Sequence, residues 1–465
     1  MVSTDGLERN LGLFPAMMIS MGAMIGSGIF VLPAIGFKKA GAAVILAYVI
    51  SAVVVLPAAL SKSEMATAMP ESGGTYIYID RALGPLFGTI AGIGSWFSLT
   101  FKSAFALVGL GSYLLLIAPV SSSVITPLAL ALGVVVVVLN ILGTELSGKV
   151  QSVIVSIVLL GLLAFSINSG IAGDYGNLEP FAPNGEWGVI TAAAFVFVSF
   201  AGVTKIASIA EEVENPGKNL PRAMIGSMAI MTVIYVLVVT AIVIMTDPKV
   251  LKDGGPNGPS VTPMADGAGV LFGGFGVVIV SVLAIVALTS MANAGILSTS
   301  RFPLAMSRDS LLPPQLSDVS PKYGTPRNSI LLTGAVLLLL IAFVPVIELA
   351  KLASAFKILV FSISNIALIA FRESDMEEYD PDFKAPGYPF VQIFGVIAGL
   401  VLITQMGLLS IIGAIGIIAF GVVLYFGYGR QRTHREGAIS SVRGDDDSSE
   451  KEDSNQSGDS ENKEE

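Results

Sequence analysis

A run of about twenty apolar residues recurs twelve times along this chain, near 11–36, 41–61, 85–118, 124–143, 150–169, 188–210, 223–246, 269–300, 329–347, 349–371, 389–408 and 410–428. Coiled as an α-helix, a run of that length matches the roughly 30 Å hydrocarbon core of a bilayer. Helix is the economical answer in lipid, because each backbone polar group must find its partner within its own segment. The weak alternation of a lipid-facing barrel is not the pattern here. Composition agrees: of 465 residues 53 % are hydrophobic and only 13 % charged, against about 25 % charged in soluble domains. Too few polar residues exist to coat a large soluble enzyme.

The formal net charge of −9 sits mostly at one end. From Gly437 onward the chain carries ten acids and three bases, leaving residues 1–436 at only −2. Nucleic-acid binding through a basic surface is therefore excluded. Cysteine is absent and the one histidine, His434, lies beyond the last apolar run, so thiol and imidazole chemistry inside the body are excluded too. No close pair of intramembrane carboxylates offers acid–base catalysis, and no repeated filter element marks a channel.

Residues 1–10 carry two acids and one arginine, which is no basic leader; the first apolar run is expected to stay as an uncleaved helix. With the N-terminus inside, cytoplasmic loops hold Arg81, Lys149, Lys218, Arg222, Arg308, Lys322, Arg327, Arg372 and Lys384. Opposite loops keep only Lys38, Lys39, Lys249 and Lys252, so both termini are expected in the cytoplasm. Residues 429–465 are expected to form a basic patch followed by a disordered acidic tail, with too little apolar surface to fold.

Two runs are interrupted in mid-membrane. The first contains GAMIGSGIF (22–30), with glycines at 22, 26 and 28; the sixth contains FVSFAGVTK (197–205), centred on Gly202. Each glycine costs about 1 kcal/mol in a helix relative to alanine, and close helix packing is one reason to keep it. Their positions favour another reason. The two runs head two groups of five, about 11–169 and 188–371, with two extra helices over about 389–428. Matching interruptions in two halves point to an inverted repeat with a binding site at the midplane. The expected fold is thus an all-α integral membrane domain over 11–428. It has about 12 transmembrane helices, a 5+5 inverted repeat with discontinuous helices 1 and 6, and two C-terminal helices. Backbone N–H groups freed at such breaks favour a carboxylate, and freed carbonyls favour an ammonium. A zwitterionic amino acid presents both.

Four segments then carry a specific resemblance. GAMIGSGIF followed by Pro33, LSKSEMATAMPESGGTYIYIDRALG (60–84), FAGVTKIASIAEEVENPGKNLPRAM (200–224) and NAGILSTSRFPLAMSRDSLLP (293–313) resemble the amino acid–polyamine–organocation (APC) superfamily of permeases. The matches span 11–372, and Glu211 to Arg222 is the most diagnostic stretch. The resemblance implies that N–H groups of Gly26, Ser27 and Gly28 hold a substrate carboxylate, assisted by the Ser27 hydroxyl. It implies amino-group contacts from the carbonyls of Met24, Val198 and Ala201, around Gly202.

Thr204 stands where many relatives have a carboxylate, which points to neutral substrates; otherwise its hydroxyl bonds back to its own helix. Ser156 stands where several proton-coupled relatives have a lysine. A coupling sodium could sit near Ser298 and Thr299, whose oxygens suit a hard cation; otherwise one of the intramembrane lysines Lys102, Lys205 or Lys357 takes a proton. Glu64 is expected to anchor a loop. The expected function is secondary transport of an amino acid across the cell membrane by alternating access, with sodium or protons as coupling ion and no other cofactor. The expected partners are the substrate and the lipid bilayer; the oligomeric state stays open. An exchanger, a polyamine or organocation carrier, or a non-transporting sensor would share these features.

Overall fold

The computed structural model describes residues 11–70, 74–118, 121–143, 148–255, 258–374, 376, 379–433 and 437–438. Expectations for residues 1–10 and for the acidic tail lie outside these. Among the described residues the chain is all-helical, with isolated bridges and no strand. Every one of the twelve apolar runs is helical over most of its length. Eight helical stretches are long and apolar enough to cross a membrane, and four apolar helices are shorter.

The first run is divided into α1 (Leu13–Met24), α2 (Ser27–Phe30) and α3 (Leu32–Ala40). The second forms α4 (Val44–Ala68), and a short α5 (Thr75–Leu83) leads into α6 (Pro85–Ile117). α7 (Ile125–Ile141), α8 (Gly148–Ala172) and α9 (Gly185–Val196) follow. The sixth run then tightens into 3₁₀ turns over Phe197–Gly202 and Lys205–Glu212. α10 (Pro216–Met245) begins seven residues before its apolar run, because Pro216 starts the helix straight after the left-handed Asn215. A short α11 (Pro248–Asp253) precedes α12 (Pro263–Arg308), which bends at Gly273. The chain continues through α13 (Arg327–Phe343), α14 (Val346–Glu373), α15 (Phe390–Gln405) and α16 (Leu408–Leu424).

The inside–outside division is that of a protein solvated by lipid. On α8 the residues Val153, Ile157, Leu160, Ile167 and Ile171 are exposed at helical spacing, and Leu408, Ile412, Ile415 and Val423 do the same on α16. Water would penalise such stripes; hydrocarbon does not. The interior is packed through small residues. Gly92 lies against Met306, Gly94 against Val360 and Gly295 against Ser103, which lets α6 run close to both α12 and α14. Polar side chains stitch neighbours where no water could serve them: Trp96 Nε1 donates to Thr333 Oγ1 at 3.0 Å, and Asn140 Nδ2 to Asn293 Oδ1 at 2.8 Å.

Candidate functional site

The three glycines of the first run have different places in the structure. Gly22 lies inside α1, and a Cβ there would stand 2.7 Å from Val155 Cγ2 of α8, so it serves close packing. The break falls two residues further on. Ile25 is extended and its N–H closes α1 on the Met21 carbonyl at 2.8 Å; Gly26 then turns the chain before α2 starts at Ser27.

Four carbonyls around this break have side-chain donors. Tyr235 O–H of α10 donates to Met24 O at 2.7 Å, Tyr48 O–H of α4 to Gly28 O at 2.6 Å, and Tyr113 O–H of α6 to Phe30 O at 2.7 Å. Lys102 Nζ donates to Ala23 O at 3.1 Å, which sets a buried ammonium at the negative end of α1. On the other side of the break, Ser27 N–H points at Met291 Sδ of α12, 3.4 Å away. A thioether is a weak acceptor and a flexible one. Ser27 and Met24 are both fully buried.

The sixth run is not cut cleanly at Gly202. It is overwound, with Val198, Ala201 and Gly202 buried in the first 3₁₀ stretch and Thr204 at the junction to the second. Ser354 of α14 holds its start, accepting from Val198 N at 3.2 Å and donating to Phe195 O at 2.8 Å. The two interrupted runs touch. A Cβ on Gly202 would lie 2.3 Å from the Ala23 carbonyl carbon and 2.7 Å from Met24 N, and one on Gly28 would lie 3.0 Å from Ser199 Cα. Tyr235 O–H spans both, reaching Ser199 O at 3.2 Å as well. Met24, Gly26, Ser27, Gly28, Val198, Ala201, Gly202 and Lys102 are therefore brought together.

Other candidates fall elsewhere. Thr204 does not bond back to its own helix: its Oγ1 accepts from Lys62 Nζ at 3.4 Å. The Ser298 hydroxyl donates to Ala294 O at 2.8 Å, and the Thr299 hydroxyl to Gly295 O at 2.6 Å, both inside α12. The Ser156 hydroxyl likewise donates into α8, to Ser152 O at 2.8 Å. Lys205 is half-buried just past Thr204. Lys357 is buried on α14 with its ammonium 4.8 Å from the Phe361 ring centre. Glu64 anchors a loop, as expected: it accepts from Arg372 Nε at 2.7 Å, Arg372 Nη2 at 2.6 Å and Ala385 N at 2.6 Å.

Sequence reasoning missed Lys62, Met291 and the three tyrosines. Tyr48 and Tyr235 carried a usable signal, since a phenol in mid-run must find an acceptor. Met291 carried none, being one more apolar residue in an apolar helix.

Comparison with known proteins identifies the family. Residues 11–439 match the family described as amino acid permease. The branched-chain amino acid permease BcaP of Bacillus subtilis is 32 % identical over 92 % of this chain and 94 % of the relative. The methylthioribose transporter of the same organism is 29 % identical over 92 % and 95 %. Cationic amino acid transporter 5 of Arabidopsis thaliana is 30 % identical over 80 % of this chain and 66 % of its own length. A chain whose apolar helices, interrupted runs and family match coincide in this way is a multi-pass membrane transporter and not an enzyme, and it belongs to the amino acid permease family of the APC superfamily.

Proposed function

We propose that this permease moves amino acids with uncharged side chains across the cytoplasmic membrane by alternating access, coupled to protons through Lys102. In this reading the chain crosses the membrane twelve times with both termini in the cytoplasm, and the runs 11–169 and 188–371 are inverted repeats. The observation that carries it is the meeting of the two interrupted runs at Gly202 and Ala23. A substrate carboxylate would take the Ser27 and Gly28 N–H groups by displacing Met291, and its ammonium would share the Met24, Val198 and Ala201 carbonyls.

Two further observations support the finer points. The Lys62 ammonium beside Thr204 opposes a cationic side chain or a polyamine. Branched-chain amino acids are the first substrates to try, on the likeness to the Bacillus permease. The Lys102 ammonium on the Ala23 carbonyl supplies the positive charge that a bound sodium would otherwise bring.

The test is uptake into proteoliposomes under imposed gradients. An inward proton gradient is expected to drive accumulation, and replacing sodium by choline to leave it unchanged. Lys102→Met should lose the response to the proton gradient while counterflow continues, because exchange needs no net proton. Loss of uptake in choline would favour sodium near Ser298 and Thr299 instead. Uptake that needs amino acid on the far side would make the protein an exchanger, and no transport of any amino acid would end the proposal.

A further inference from the structure

A second buried cluster lies between α4, α5, α14 and the second 3₁₀ junction, and of its members the transport reading uses only Lys62 beside Thr204, to disfavour cationic substrates. Lys62 is fully buried, with its ammonium 2.6 Å from Thr75 Oγ1, 3.4 Å from Thr204 Oγ1 and 4.4 Å from the centre of the Phe361 ring. Lys357, 4 % exposed, stands 4.8 Å from the centre of the same ring. The two ammonium groups are thus within about 9 Å of one another. Helical rise puts Lys357 about 22 Å from Arg372 along α14.

What the cluster lacks is an acceptor. An ammonium has three N–H donors. Lys62 spends two of them on hydroxyl oxygens, and among the described residues Lys357 has no hydrogen-bond acceptor and neither lysine has a carboxylate partner. Thr75 and Thr204 accept from Lys62, so their own hydroxyl protons remain to be given away. Thr75 is also the first residue of the nine-residue α5, whose positive dipole end therefore faces the same place. Two lysine amino groups, two hydroxyl donors and a helix start lie in one buried region without a carboxylate partner among the described residues. Holding such amino groups charged is costly unless something of the opposite sign joins them.

We propose that Lys62, Lys357, Thr75 and Thr204 form a binding site for a small anion. Its chemistry, ammonium and hydroxyl donors without an acceptor, fits a halide or a carboxylate. Either would bind free from solution, since the transported amino acids proposed above have uncharged side chains.

The test uses the purified full-length protein in chloride-free sulfate buffer, with thermal unfolding followed as chloride or acetate is titrated. A saturable rise with chloride supports the site and identifies a halide. A saturable rise with acetate but not chloride supports it and identifies a carboxylate. In either case Lys62→Met and Lys357→Gln should raise the half-saturating concentration roughly tenfold or more. Thr75→Val keeps both charges and should weaken binding as well, so it reads the site even if a lysine variant fails to fold. Lys351→Met, on the half-exposed face of α14 beside Glu348, should titrate like the unaltered protein. No saturable response to either anion, or an equal response in Thr75→Val, Lys62→Met and Lys351→Met, would overturn the proposal.

Discussion

Gly202→Ala should bring amino acid uptake down to the level of protein-free liposomes while the protein still inserts into the membrane. The added Cβ would lie 2.3 Å from the Ala23 carbonyl carbon, 2.4 Å from its oxygen and 2.7 Å from Met24 N. Non-bonded carbon atoms prefer about 3.5–4.0 Å, so one main chain must retreat by more than an ångström. Backbone cannot swing aside as a side chain can, and both segments are held by further bonds to Tyr235 and Ser354. Overpacking of this kind costs about 1–3 kcal/mol, which a membrane domain can survive. Displacing binding groups by that distance costs roughly a hundredfold in rate. Gly170→Ala, with nothing within 4 Å of its added Cβ, is the control and should transport normally. Uptake at the unaltered rate in Gly202→Ala would show that this contact is only packing.

The second large effect concerns folding. Glu64→Gln should destabilise the protein by about 3–5 kcal/mol, the range for removing one partner of a buried ion pair. Glu64 is fully buried and receives four donors: both Arg372 nitrogens, Ala385 N and, at 3.2 Å, Tyr379 O–H. The amide keeps the shape but turns one acceptor into a donor that faces other donors. Burial, and then the Glu64 carboxylate, hold the Tyr379 phenol well above its ordinary range, so it stays a donor at any physiological pH. Because Tyr379 and Ala385 belong to the segment between α14 and α15, the loss should also free that segment. Thermal unfolding lowered by several degrees, with faster proteolysis between 374 and 389, is the expected result; an unchanged midpoint would contradict it.

Much of this was legible before the structure, for identifiable reasons. Apolar runs declare helices because lipid leaves the backbone no other partner, and glycines in two such runs marked where the chain would be interrupted. Lys102 was visible because a charge in mid-run is costly in lipid and so stands out, even where snorkelling or a structural pair could account for it. Lys62 was not. It stands two residues before Glu64 in a polar-looking stretch, like a solvated helix end, and only the packing of α5, Thr204 and Phe361 buries it. Ser298 and Thr299 are a different case: each hydroxyl gives its proton to a carbonyl of its own helix and keeps the lone pairs that a hard cation would use. Periodicity likewise could not separate a broken helix from an overwound one, so the 3₁₀ form of 197–212 emerged only from the backbone.

Tyr235 offers one proton to two carbonyls, Met24 of the first interrupted run at 2.7 Å and Ser199 of the sixth at 3.2 Å. A cation that settles on either carbonyl weakens its hold on that proton and sends it to the other. The two carbonyls are therefore coupled through a single hydroxyl, in the sense that occupying one leaves the other less open to a second positive charge. One ammonium can be held at this junction, but not two at once.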